Sequence, residues 1–127
     1  MARRVRRFSS YVSADTALAL ATETVVATVS EVLGEFPDGH VVLEGNAAVT
    51  GAAGTTTVTM RVRRGSLTGA LVGEASVTQV PGAVSATCTV AVEDDYTAGA
   101  PPVYVLTATM AGAAGTCTQA DLVALVT

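Results

Sequence analysis

The chain has 127 residues, enough for one hydrophobic core; half of them are apolar, yet only two Phe and three Tyr are present and there is no tryptophan. Eleven Asp and Glu outweigh seven arginines for a net charge of −4, with no lysine, so the body of the protein lacks the basic face that a nucleic-acid binder needs. No stretch approaches the roughly 20 apolar residues of a membrane-spanning helix, and Cys88 and Cys117 lie too far apart for a zinc knuckle.

The N-terminus reads MARRVRRF and holds Arg3, Arg4, Arg6 and Arg7, four of the seven positive charges. The text that follows, SSYVSADTALALATE, carries Asp15 and several hydroxyls where a cleavable export signal requires an apolar run, so no such signal is expected. Residues 1–22 show no strand alternation and are read as an extended arm, with DTALALATE offering at most one helical turn capped by Asp15. Two of the five aromatic residues fall in this arm. The arm is expected either to be a disordered basic terminus or to order on a partner, with Phe8, Tyr11 and Val12 as anchors and the four arginines pairing with its carboxylates; the placement of the aromatics favours the second.

From residue 23 onward the pattern is strands and turns, predicted near 23–33, 40–50, 55–64, 70–80, 83–93, 102–111 and 116–126. In TTTVTMRVRR, Val58, Met60 and Val62 alternate with Thr57, Thr59, Arg61 and Arg63, the period of a half-buried strand. AVSATCTVAVE and VYVLTATM repeat the pattern, placing Cys88, Val90 and Val92, then Tyr104, Leu106, Ala108 and Met110, on apolar faces. PDG, RGSLTG, VPG and TAGAPP punctuate these runs as turns. The string GAAGT occurs at Gly51–Thr55 and again at Gly112–Thr116 and is read as two equivalent hairpin loops at one end of the fold. Seven or eight short strands with regular turns imply an all-β antiparallel sandwich or barrel over residues 23–127. A Val/Ala core poor in large rings buries little area per residue, which favours association with copies of itself or with a larger surface.

Catalytic constellations are missing. There is no nucleophile elbow, P-loop or dinucleotide fingerprint. The one histidine, His40, follows a turn and reads as solvated, and Cys88 belongs to an apolar strand face. Enzyme activity is therefore not expected, and neither is a cofactor. Glu93, Asp94 and Asp95 point in alternating directions along a strand end, which suits solvation better than metal binding. The two cysteines are compatible with one disulfide or with two buried thiols. Arg61, Arg63 and Arg64 form a second basic group on a sheet face, read either as a solubilising surface or as a contact for acidic residues of a partner or neighbouring subunit.

The phrases VLEGNAAVTG, RVRRGSLTGALVG and ADLVALV, within residues 23–126, resemble small virion proteins of tailed bacteriophages that infect high-GC actinobacteria. The absence of isoleucine and lysine, whose codons are AT-rich, agrees with such an origin. The resemblance implies a jelly-roll-like β-sandwich that decorates or cements capsids, commonly as a trimer. The partners it implies are the major capsid protein and further copies of the same chain; no membrane partner is expected, and the acidic body disfavours nucleic acid, leaving a DNA-binding arm inside a shell as the last candidate. The expected location is then the capsid surface of the virion, after synthesis in the bacterial cytoplasm. A tail, fibre or head-spike component and a secreted glycan-binding module are the alternatives.

Overall fold

A computed structural model describes residues 6–30, 39–51, 56–79, 86–96 and 103–126. The described residues form β1 (Arg6–Val12), β2 (Thr16–Leu18), β3 (Thr24–Val29), β4 (Gly39–Gly51), β5 (Thr56–Arg64), β6 (Leu71–Gln79), β7 (Ala86–Tyr96), β8 (Tyr104–Ala111) and β9 (Gly115–Val126). They make two antiparallel sheets. The first runs β1-β9-β4-β7, with β2 also on β9; the second runs β3-β8-β5-β6. With β1 and β2 counted as one interrupted strand, this order is that of an eight-stranded jelly roll, so the protein is an all-β antiparallel sandwich of jelly-roll type.

Alternation decides which side chains fill the interior. Val41, Leu43, Ala47 and Val49 of β4 and Leu122, Ala124 and Val126 of β9 meet Val58, Met60 and Val62 of β5 and Tyr104, Leu106 and Met110 of β8, all buried. The faces anticipated for β5 and β8 are the buried ones. Because the filling is small, the sheets approach closely at Gly45: a Cβ built there would lie 2.6 Å from Leu106 Cδ1 of the opposite sheet.

The segment read as a separate arm is strand from Arg6 onward. Arg6 to Val12 pair residue by residue with Val126 to Ala120, and Thr16 to Leu18 pair with Cys117 to Gly115. DTALALATE therefore contains a strand and not a helical turn. The reason is an available edge: β9 offers free backbone donors and acceptors, and satisfying them outweighs a weak local pattern.

The two GAAGT copies are also different from hairpin loops. β4 and β5 lie in different sheets, as do β8 and β9, so both strings join strands across the sandwich. They do share one end, since Gly51 pairs with Gly115. Residues 52–55, the PDG turn apart from Gly39, and the VPG and TAGAPP turns lie outside the described residues. The RGSLTG turn is a true hairpin, closed by Arg64 N–H donating to the Ala70 carbonyl at 2.9 Å, with Gly65 at φ +92°.

Register also settles the cysteine pairing. Cys88 on β7 faces Ala47, and Cys117 on β9 faces Val49, so β4 runs between them. Two strand spacings, about 9.5 Å, exceed the Cα separation a disulfide can bridge. Cys117 is a buried free thiol that donates to the Gln119 carbonyl at 3.2 Å. Burial pushes its pKa up, which keeps it a thiol.

Candidate functional site

The three mid-chain arginines are engaged within the chain. After β2 the chain crosses between sheets at Ala21 (φ +57°), whose N–H donates to the Met110 carbonyl at 2.8 Å. This brings Glu23 over the outer face of the second sheet. Arg63 Nε and Nη2 donate to the two Glu23 oxygens at 2.6 and 2.9 Å, and Thr107 Oγ1 donates to Glu23 Oε2 at 2.7 Å. Arg61 lies 3.5 Å from Glu23 and donates to Glu74 at 2.8 Å. The Arg63 hydrogen bond holds the Glu23 carboxyl below its ordinary range despite partial burial.

Arg64, the next residue of β5, turns to the other sheet. Its Nε donates to Asp94 Oδ2 at 2.9 Å, and the buried Tyr104 hydroxyl donates to the same oxygen at 2.7 Å. Asp94 belongs to β7 of the first sheet, while Arg64 and Tyr104 end strands of the second, so this knot ties the sheets together. Burial raises the Asp94 pKa, but the bonds from Arg64 and Tyr104 outweigh it and the net direction is downward. The same burial, with the bond to Asp94, drives the Tyr104 phenol far up. Acidic groups expected from a partner are thus supplied by Glu23, Glu74 and Asp94 of the same chain.

His40 is on β4, not in a solvated loop. Its Nδ1 lies 2.8 Å from Asp95 and its Nε2 lies 3.7 Å from Glu93. The bond to Asp95 raises its pKa. Glu93 and Asp95 point outward and Asp94 inward, the alternation read from the sequence. Among the described residues no group of three His, Cys, Asp or Glu side chains is placed to hold a metal.

What remains open is the outer face of the first sheet. Register places Arg7, Leu125, Val42 and Glu93 in one row, Ser9, Val123, Glu44 and Ala91 in the next, and Tyr11, Asp121, Asn46 and Thr89 in the third. Tyr11 is 66% exposed, Val42 40% and Leu125 38%. Two adjoining depressions of about 110 and 150 Å³ cross this face and share Asn46 and Asp121. The smaller is flanked by Tyr11, Gln119 and Thr87, and the larger by Val42, Glu44 and Leu125. Asn46 accepts from Thr89 at 2.7 Å and donates to Glu44 at 3.4 Å. Asp121 has no hydrogen-bond or ion-pair partner among the described residues, unlike Glu23 or Asp94.

The site residues expected from the arm divide. Arg3 and Arg4 lie outside the described residues. Arg6 and Arg7 are exposed, and Tyr11 belongs to the open face. Phe8 points the other way and packs against the core, so Phe8 and Tyr11 cannot anchor on one surface together. Val42, Glu44, Asn46, Asp121 and Leu125 escaped the sequence reading. Their signal is present in VVLEGNAAV and ADLVALV, where apolar residues occupy both phases of the alternation, the mark of a strand apolar on both faces.

No protein-family profile matches the chain, and no curated protein matches it. Solved structures do share its fold. A structure of Bacillus endospore appendages, described as a novel family of disulfide-linked pili, aligns over 100% of this chain and 91% of its own, with 20% identity and a TM-score of 0.51. The structure of Eiger TNF from S. frugiperda aligns over 95% and 92%, with 10% identity and a TM-score of 0.56. A structure of infectious bursal disease virus, Gx strain, aligns over 98% of this chain at 9% identity and a TM-score of 0.52, but this chain spans only 32% of that one.

Proposed function

We propose that this chain is a virion structural protein that binds the outer capsid surface of a tailed bacteriophage of a high-GC actinobacterium and cements the head. The observation that carries this reading is the open outer face of the first sheet. Elsewhere the buried charges are closed in cis, through Arg63–Glu23 and Arg64–Asp94. Here Tyr11, Val42 and Leu125 remain exposed beside Glu44 and Asp121, the latter with no partner among the described residues. Exposed apolar side chains rimmed by polar ones mark an adhesive surface, not a reaction centre. The phrase resemblance to phage virion proteins supports the reading, and the fold shared with a viral structure and a pilus agrees with it.

On this reading the partners are the major capsid protein and further copies of the chain, as a trimer, and the protein is not an enzyme. Many copies on a shell turn a weak contact into durable attachment. The test is cosedimentation with capsids of the encoding phage, with a density map of the particle to locate the chain. Val42→Glu/Leu125→Glu is expected to keep the fold and reduce attachment at least about tenfold, because two carboxylates would enter the apolar part of the contact. Undiminished attachment overturns the assignment of the face. Density at the tail in a few copies would instead mark a tail, fibre or spike component.

A second reading rests on Tyr11 beside Gln119 and Asp121, a ring next to planar hydrogen-bonding groups, which suits a sugar. Saturable binding on a glycan array, abolished by Tyr11→Ala, would favour it. Arm deletion is a poor test of either reading, because removing residues 1–12 strips β1 from β9 and uncovers a sheet edge.

A further inference from the structure

We infer that the depression at Asp121, on the outer face of the first sheet, receives the guanidinium of an arginine side chain inserted by a partner protein. The inference starts from how this chain treats its other shielded carboxylates. Glu23 takes a guanidinium from Arg63 and a hydroxyl from Thr107. Asp94 takes a guanidinium from Arg64 and the hydroxyl of Tyr104. Asp121 is also partly buried, and Tyr11, directly across the β1–β9 ladder, sets a ring and a hydroxyl beside it. The guanidinium is the missing member, since Asp121 has no hydrogen-bond or ion-pair partner among the described residues.

No arginine among the described residues supplies it. Arg61, Arg63 and Arg64 are held by other carboxylates. Arg7 shares the face but stands opposite Leu125, four residues from Asp121 along β9, about 14 Å away. Its guanidinium turns instead to Ser9 Oγ at 3.5 Å. Arg6, opposite Val126, is farther still and falls on the other phase of the alternation. The depression itself suits a planar donor. Besides the Asp121 carboxylate, Asn46 Oδ1 accepts from Thr89 at 2.7 Å and keeps a second lone pair, and Gln119 adds a further carboxamide. A guanidinium spreads five N–H donors over one plane and stacks on an aromatic face, such as the exposed ring of Tyr11; an ammonium is a compact point charge. The adjoining depression adds Glu44, and its Val42 and Leu125 receive apolar surface of the same partner. A neutral sugar would fill the space but leave the partly buried charge of Asp121 uncompensated. The site is defined by these residues alone; that the arginine belongs to the capsid shell rests on the capsid reading.

The first experiment titrates the full chain, isotope-labelled, with N-acetyl-arginine amide and follows the backbone amide resonances. Saturable shifts are expected at Tyr11, Asn46, Gln119 and Asp121. Affinity should fall about tenfold in Asp121→Asn, about threefold in Tyr11→Leu, and about threefold when N-acetyl-lysine amide replaces the arginine probe. Asp121→Asn should leave the thermal midpoint unchanged, because Asp121 bonds nothing among the described residues. The absence of a saturable shift, a shift indifferent to Asp121, or equal binding of the lysine probe overturns the inference. So does a response of these resonances to methyl glucoside without one to arginine, which favours the glycan reading. In cosedimentation with capsids, Asp121→Asn should attach about tenfold less than the wild type. Equal attachment removes the shell as the source of the arginine and leaves the capsid reading standing. A wild type that does not attach refutes the capsid reading, and the titration still decides the site.

Discussion

Glu23 and Glu74 stand on the same outer face of the second sheet, and both bond an arginine of β5, yet removing them should have unequal effects. Glu23 and Arg63 are each only 19% exposed, and Glu23 also accepts from Thr107, whose side chain is fully buried. Glu23→Ala leaves Arg63 with one remaining acceptor, the Gly69 carbonyl at 3.0 Å, and leaves Thr107 only a 3.5 Å contact to the Arg61 carbonyl. Breaking a fully buried ion pair from one side costs about 3–5 kcal/mol, and water reaching Arg63 reduces this to about 2 kcal/mol. The orphaned hydroxyl adds about 1 kcal/mol. At about 4 °C per kcal/mol for a domain of this size, the thermal midpoint should fall by about 12 °C. Glu74 is half exposed and bonds only Arg61, so Glu74→Ala should lower the midpoint by less than about 4 °C. Circular dichroism melts of the two variants, with a Glu23→Ala/Arg63→Met cycle, read out both values; the cycle should show a coupling of about 1–2 kcal/mol. Equal losses at the two glutamates, or a cycle with no coupling, would refute the claim that partial burial makes the Glu23 network structural.

Acid should act through the same groups. Glu23 and Asp94 titrate below their ordinary values of 4.5 and 3.8, so their stabilisation is complete above those values and is lost as pH falls through the lower, folded-state values. The difference in denaturant midpoint between the wild type and Glu23→Ala should stay constant from about pH 8 to 5 and shrink below about pH 4; an undiminished gap at pH 2 would contradict the ion-pair origin. In the core, Gly45→Val would push a branched side chain into Leu106 of the facing sheet. The expected loss is about 2 kcal/mol, measured by urea unfolding, and a neutral outcome would mean the sheets separate more easily than the packing of Leu106 implies.

Much of the sandwich was legible from local pattern. The alternation in TTTVTMRVRR and VYVLTATM assigns the faces of β5 and β8 without reference to any other part of the chain, because a strand's period of two is a property of its own backbone. The RGSLTG hairpin is legible for a similar reason, since its glycine at positive φ is a local requirement. The same local logic failed at the N-terminus. RRFSSYV has no clean alternation, and it becomes a strand only because β9 presents an unpaired edge to it.

The candidate site divides along the same line. Sequence alone determined that four arginines gather at one tip of an acidic chain, that the core is built from small apolar residues, and that catalytic motifs are missing. Tertiary structure decided which charges are free. Arg63 meets Glu23 forty residues away, and Arg64 meets Asp94 thirty residues away. No local pattern encodes pairings of that separation. They follow from the strand order β3-β8-β5-β6 and from the packing of β7 against the second sheet, which together convert a basic patch in the sequence into closed ion pairs. In the first sheet, the order β1-β9-β4 lines up Tyr11, Asp121 and Asn46 from three distant segments, so the open face exists only once the sheet is assembled.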